Sequence, residues 1–345
     1  MIDFKKTDLP KIVPDEVMRE VYERIKTPYK WGPVVKFERE LCDSPAVFRY
    51  NGKWYMSFIK IDKDVKSSGY DSHLAVSDDL VHWEYLYKTM QREDNGAWDS
   101  KQIALYAAFI DNDLYGSYEI EPIDGEYYFA YLGGALDGYE TDPLAVGLCK
   151  TKDVLDPKSY TRISADGPIM GPTDPDCRHG ETKTLYKSHM FRDEAKTTGY
   201  TFVSAYNAKD FTNKESIFLA VSNDGVSWER YGDRAVIVDD TKEQNVNING
   251  DPQIFKIGDL YVMFYFIAKD GCTYAYETFA CSYDLEHFTK WQGEPLIKPE
   301  LVWEDLFAHK PCIVYNDGVL YHYYCACNKK GERFIALATN RELDR

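Results

Sequence analysis

Ala46-Val47-Phe48-Arg49-Tyr50-Asn51-Gly52-Lys53-Trp54-Tyr55-Met56-Ser57-Phe58 reads as two strands around a tight turn. Apolar and polar positions alternate on both sides, with the aromatic and β-branched residues that suit a half-buried pleated surface. Asn51-Gly52 supplies the positive-φ pair that a two-residue hairpin turn requires. The text recurs. Gly52, Gly125, Gly199, Gly258 and Gly318 are each followed three residues later by an aromatic: Tyr55, Tyr128, Phe202, Tyr261 and Tyr321. Asp124-Gly125 and Asp317-Gly318 repeat the turn signal itself.

A second phrase trails each turn. It runs small-apolar, then Ser or Thr, then Asp or Asn, then an aromatic: Ala75-Val76-Ser77-Asp78-Asp79 with Trp83, Ala220-Val221-Ser222-Asn223-Asp224 with Trp228, and Ala280-Cys281-Ser282-Tyr283-Asp284 with Phe288. Weaker copies stand at Leu148–Asp153 and Ala336–Asn340. A third strand ending in a polar turn, followed by a short outer strand, gives about four strands per unit. Five such units, with glycines 73, 74, 59 and 60 residues apart, predict an all-β five-bladed β-propeller of four-stranded antiparallel blades. The propeller is expected over residues 37–345. Residues 1–36 form an N-terminal extension, in which Pro14, two acids and then Val17, Val21 and Ile25 predict a short amphipathic helix. Insertions are expected at Leu136–Pro143 and Asp174–Lys183.

The net charge of −16 excludes a surface that tracks phosphate, so neither nucleic acid nor an anionic membrane is an expected partner. No apolar run is long enough to span a bilayer. Met1–Lys6 shows no leader, and the eight cysteines form no Cys-x-x-Cys pair, so reduced thiols and a cytoplasmic location are expected. With 28 Tyr, 17 Phe and 7 Trp, the chain has ample aromatic rings for strand cores and for stacking on sugar faces.

The five repeats, Asp43-Ser44-Pro45 at the start of the first, and the Ser-x-Asp-x-x-x-Trp phrase resemble the five-bladed propeller glycosidases. These are glycoside hydrolase family 43, families 32, 62, 68 and 117, and the family 130 phosphorylases. The resemblance covers about residues 38 to 345. It implies that the first strand of each blade lines a central sugar pocket. The positions so implied are Asp43, Glu119, Lys187, Asp251, and His309 with Lys310. Glycoside hydrolysis needs one carboxylate to activate water or attack carbon, and one protonated group for the leaving oxygen. The resemblance implies Asp43 as general base, with inversion, and Glu119 as the carboxylate that tunes the acid. The acid is an open choice among Glu181, Asp251 and His309, because Tyr186 and Lys187 stand where the family carries a glutamate. Glu121 shares a face with Glu119, and with Lys187, Lys310 and His189 it completes the expected substrate contacts. No metal and no cofactor are expected. An oligosaccharide is the expected partner, and the oligomeric state is open. A family 130-like phosphorylase and a non-catalytic sugar-binding propeller are the alternatives to a hydrolase.

Overall fold

A computed structural model describes residues 10–344 apart from 63–67, 94, 164–165 and 239–244. Met1–Lys6, read above for a leader, lie outside the described residues.

The chain opens with helix α1 (Asp15–Ile25) and strand β1 (Tyr29–Val35). Asp15 and Glu16 occupy the first turn of the helix and Arg24 the last, which complements its dipole. Met18, Val21 and Ile25 form its buried face, and the Tyr22 ring stacks on Trp291 at 4.9 Å. Four blades then follow in order, each of four strands. Blade one is β2 (Glu40–Tyr50), β3 (Lys53–Asp62), β4 (Tyr70–Ser77) and β5 (Glu84–Lys88). Blade two is β6 (Gln102–Ala107), β7 (Tyr127–Gly134), β8 (Leu144–Thr151) and β9 (Thr161–Arg162). Blade three is β10 (Thr184–Arg192), β11 (Phe202–Lys209), β12 (Glu215–Ser222) and β13 (Glu229–Tyr231). Blade four is β14 (Val246–Ile257), β15 (Leu260–Lys269), β16 (Tyr274–Ser282) and β17 (Thr289–Lys290). The last blade has only three strands of its own: β18 (Phe307–Asn316), β19 (Val319–Cys327) and β20 (Arg333–Thr339). Its fourth is β1, which pairs antiparallel with β20. The propeller therefore begins at Tyr29, earlier than the sequence suggested, and the two ends of the chain meet in one blade.

Four of the five glycine turns join the first and second strands of a blade directly. The repeated Ser and Asp phrase is a turn held by its own side chains. The Oδ1 of Asp79 accepts from the N–H groups of Val81 and His82 at 2.9 and 2.7 Å, and Asp224 and Asp284 accept from their own following N–H groups in the same way. That side-chain turn is why the phrase is copied.

Inner strands β2, β10, β14 and β18 line the axis, and neighbours are latched where they approach. The N–H of Ile254 donates to Nδ1 of His189 at 3.0 Å, that of Ile313 to Oε1 of Gln253 at 2.7 Å, and that of Val47 to Sγ of Cys312 at 3.2 Å. These latches tie blade three to four, four to five and five to one through side-chain acceptors. Apolar clusters fill the spaces between blades, the largest joining α1, blade one, blade four and blade five.

Candidate active site

The same irregularity appears in four inner strands near their first third. The pairing register breaks between Asp43 and Ala46, Leu185 and Ser188, Gly250 and Gln253, and His309 and Cys312. In three of them a residue before proline takes a positive φ: Ser44 at 55°, Asp251 at 48° and Lys310 at 64°. A residue preceding proline is normally pushed to extended backbone. These bulges store strain, and a bulge re-aims the side chain next to it. They turn Lys187, Asp251 and Lys310 toward the axis at one level of the propeller, with Asp43 and His309 one residue earlier.

The structure gathers these five residues. Asp43 is fully buried. Its Oδ2 accepts from Nη1 of Arg333 at 2.6 Å and from the Tyr139 hydroxyl, and Lys310 stands 3.4 Å away. Its Oδ1 accepts from the Ser44 N–H at 2.6 Å. Burial alone would raise its pKa, but the charges of Lys310 and Arg333 reverse this and hold the carboxyl well below the usual range. Lys310 also donates to the Tyr139 hydroxyl at 2.8 Å and to Glu140 at 2.5 Å. Lys187 donates to the Pro45 carbonyl at 3.2 Å and lies over the Tyr106 ring. His309 is held through Nδ1 at 3.0 Å from the Cys325 carbonyl oxygen, and burial lowers its pKa to about 3, so the imidazole is neutral and a poor proton donor.

Other expected positions fall elsewhere. Glu119 bridges Arg49, next to the Asn51-Gly52 turn, and its Oε2 lies 3.9 Å from Arg49 Nε in solvent. Arg49 is six residues beyond Asp43 on one strand, about 20 Å at the usual rise, so Glu119 sits at the opposite end of the propeller. Glu121 is exposed on the same excursion. The inner strand of blade two is β6, and it presents Tyr106 instead. Glu181 is fully buried, but it takes Nε and Nη2 of Arg178 at 2.8 and 2.9 Å and the Tyr206 hydroxyl, with Arg230 Nε at 3.8 Å. Arg178 in turn donates to the carbonyls of Leu219 and Tyr231. Glu181 therefore anchors the loop before blade three to its outer strands. His189 lies on the axis as the latch to blade four, beside a void of about 20 Å³.

Three more residues that the sequence reading did not nominate join Arg333 in the pocket. The loop after β7 carries two of them, Tyr139 and Glu140. It is pinned by Asp142, paired with Lys183 and Lys209 at 3.1 Å each, and by two hydrogen bonds between Thr141 and the Gln102 amide. The third, Glu215, opens β12, the third strand of blade three, which runs parallel to β10 and so starts at the pocket end. Its carboxyl accepts from Nδ2 of Asn207 at 2.8 Å. The Oδ1 of the same Asn207 accepts from the Asp251 N–H at 3.1 Å. Burial pushes Glu215 up to about 8, with Glu140 and Asp251 adding to it against Lys209 and Asn207. Burial likewise raises Asp251 to about 6, opposed by Lys310 and Lys187. One oxygen of Asp251 is buried with no hydrogen-bond partner among the described residues. Next to the pocket, His309, Cys325 and Cys327 place donor atoms within 4.8 Å of one another. Arg333 lies against this trio and Lys310 beside it, an electrostatic setting that disfavours a cation.

Comparison with known proteins agrees with this architecture. A family profile described as beta-1,4-mannooligosaccharide phosphorylase matches residues 186–342. A solved structure described as a complex of BT0996 and RGII is 38% identical and superposes with a TM-score of 0.88, over 96% of this protein and 97% of its own length. Another, named "Glycoside hydrolase", is 37% identical with the same TM-score and coverage. A more distant structure, from work on mannoside phosphorylases and glycoside hydrolases of family 130, is 14% identical at a TM-score of 0.61 over 91% of this protein and 93% of its own length, and shares the fold. No curated protein matches. The fold and pocket define a carbohydrate-active enzyme. This protein belongs to the five-bladed β-propeller glycosidase superfamily.

Proposed function

We propose that the protein is a glycoside hydrolase that releases a terminal sugar from an oligosaccharide, with Glu215 as general acid. The observation that carries this is the Glu215 carboxyl, buried, oriented by Asn207 and held protonated to about pH 8 among other carboxylates. An acid and a second carboxylate in one pocket are what glycoside hydrolysis needs. The partner is Glu140, a quarter exposed and ion-paired to Lys310, which is the pocket carboxylate most open to water. Asp251, with its unpartnered oxygen, accepts a sugar hydroxyl. Asp43, which the resemblance implied as the base, is enclosed and paired with Lys310 and Arg333, and in this reading it holds those cations in place.

Hydrolysis is favoured over phosphorolysis because the pocket cations are already committed. Lys310 is paired with Asp43 and Glu140, Arg333 with Asp43, and Lys187 with a carbonyl. A phosphate would have to displace those partners. Glu215→Gln should slow release from oligosaccharides by about 10²–10⁴-fold, the usual worth of a positioned acid. The variant should keep most activity on aryl glycosides whose leaving group departs unprotonated. Equal loss on both substrates would remove Glu215 from the acid's role, and turnover that requires phosphate would make the enzyme a phosphorylase.

A further inference from the structure

Lys209 and Glu215 stand directly opposite each other where β11 turns into β12, at the pocket end of that ladder. Opposed residues put their side chains on one face of the sheet, with Cβ atoms about 4.5–5.5 Å apart. Asn207, two residues back on β11, shares that face and donates to the Glu215 carboxyl. One strand therefore sets an amide and an ammonium beside the carboxyl.

Lys209 also reaches the loop across the pocket. Its ammonium lies 3.1 Å from Oδ1 of Asp142 and 5.3 Å from the centroid of the Tyr186 ring. Tyr186 is buried, and its hydroxyl hydrogen-bonds to Glu215. Asp142 is two residues beyond Glu140 and pairs with Lys183 as well. Contacts therefore run from the loop that carries Glu140, through Asp142, Lys209 and Tyr186, to Glu215. Only 14% of the Lys209 side chain and 23% of that of Asp142 are exposed, so salt screens this pair less than it screens a surface one.

We propose that Lys209 is a positioning residue for the reaction: with Asp142 as its counter-ion, it ties the Glu140 loop to blade three and steadies the charge left on Glu215 when the proton departs. The proposal rests on the reading of Glu215 as the acid and Glu140 as its partner. The groups that face Glu215 come from several elements. On β11, Lys209 and the Asn207 amide favour the carboxylate, while Glu140 in the loop after β7 and Asp251 on β14 oppose it. Tyr186 on β10 and Cys272 in the turn after β15 are neighbours that burial keeps neutral. Asp142 offsets the charge of Lys209 in the resting pocket, and Glu215 keeps its proton to about pH 8. Once the proton has gone to the leaving oxygen, the ammonium opposite is in place to meet the new carboxylate.

An NMR titration of the full chain, isotope-labelled at its glutamate side-chain carboxyl carbons, tests this. The Glu215 signal is the one that Glu215→Gln removes, and its wild-type midpoint is expected at about 8. Lys209→Met keeps a stem over the Tyr186 ring and loses the charge, so it should raise the midpoint by about one unit. Asp142→Asn leaves Lys209 free to act on Glu215 and should lower the midpoint by a similar amount. That lowering should shrink when it is combined with Lys209→Met, because the two changes act through one pair. Lys209→Arg should keep the wild-type midpoint, and Asp142→Asn reads the pair even where the methionine variant does not fold. A midpoint unmoved by Lys209→Met, a rise in Asp142→Asn, or a lowering that Lys209→Met leaves at full size would each overturn the proposal. The titration uses no turnover, so it stands apart from the acid reading. That reading fails if Glu215→Gln cleaves oligosaccharides at the wild-type rate, whereas an unmoved midpoint beside an inactive Glu215→Gln removes the role of Lys209 alone.

Discussion

The amide of Asn207 donates to the carboxyl of Glu215 at 2.8 Å, from one strand of blade three to the next. The bond favours the ionised form of Glu215 and so restrains the rise in its pKa that burial causes. The other end of the same amide accepts from the Asp251 N–H, so one side chain sets the spacing of two pocket carboxyls. Asn207→Ala is expected to lower kcat by about 10-fold to 100-fold through misplacement. It should also move the alkaline limb of the pH–rate profile upward, because the donor that stabilised the carboxylate is gone. A purely structural role would lower activity without moving that limb, so a full pH profile distinguishes the two.

The wild-type profile itself follows from the two raised carboxyls. Glu215 must be protonated to donate, so activity falls as pH rises through about 8. Asp251 accepts a sugar hydroxyl more strongly as the carboxylate, so activity rises through about 6. A bell with its top between those values is expected, with Asp251→Asn losing the acid limb. The same shift carries a stability consequence of known sign. Between the unfolded glutamate's ordinary value and about 8, the folded state holds more protons at Glu215 than the unfolded one, so its contribution to stability falls as pH rises. Glu215→Gln removes that dependence and should melt at higher temperature than the wild type at pH 8, while losing turnover. Thermal melts of both proteins across pH 5 to 9 check this.

Asp43 behaves in the opposite sense. Its pKa is held below the ordinary value by Lys310 and Arg333, so its contribution is present above that ordinary value and is lost as pH falls toward the native one. Asp43→Asn takes the counter-charge from Arg333 and leaves the enclosed Lys310 with Glu140 alone. Breaking a buried pair from one side costs about 3–5 kcal/mol. The variant is therefore expected to be destabilised by an amount of that order in urea unfolding, as well as inactive. An inactive Asp43→Asn of wild-type stability would instead support Asp43 as the base.

Much of this fold was legible because the propeller copies its text. The Asn-Gly and Asp-Gly turns, the aromatic three residues on and the Ser-x-Asp turn each have a local physical cause, so each leaves a local trace. The pocket was legible only where the backbone advertises it. Asp43-Ser44-Pro45, Asp251-Pro252 and Lys310-Pro311 mark bulges by their prolines, and they located blades one, four and five. Blade two offers no such mark. Its β6 is separated from its Gly125 turn by an excursion from Ala108 to Glu126, and Tyr118–Pro122 lies nearer the turn, so periodicity selected the wrong segment. Glu140 sits in the insertion noted at Leu136–Pro143, but nothing in a loop's sequence says which way it folds. Glu215 opens a third strand, where the family pattern directs no attention, and its proton affinity comes from burial beside residues distant in the sequence. The surroundings of Glu181 were hidden for a related reason, since its partners Arg178, Tyr206 and Arg230 are brought together only by folding.

The closure of the ring gives the last expectation. A propeller whose final blade uses a strand from the opposite end of the chain is held shut by that pairing. Here β1 lies against β20 over Tyr29–Val35 and Ile335–Thr339, and α1 packs Met18, Val21 and Ile25 into the cluster that also holds blades one, four and five. Lys30 adds a buried ion pair with Glu304, whose other oxygen accepts from the Tyr324 hydroxyl. The segment from α1 through β1 is therefore a structural part of blade five and not a separable extension. Removing residues 1–36 would expose the β20 edge, and open sheet edges of this kind recruit other chains. It would also uncover the apolar faces that α1 now buries. A protein shortened to residues 37–345 is expected to aggregate or to melt far below the intact one. Adding a peptide of residues 10–36 should recover part of the melting temperature by restoring the strand. A shortened protein that stays monomeric and melts with the intact one would show that blade five closes without β1.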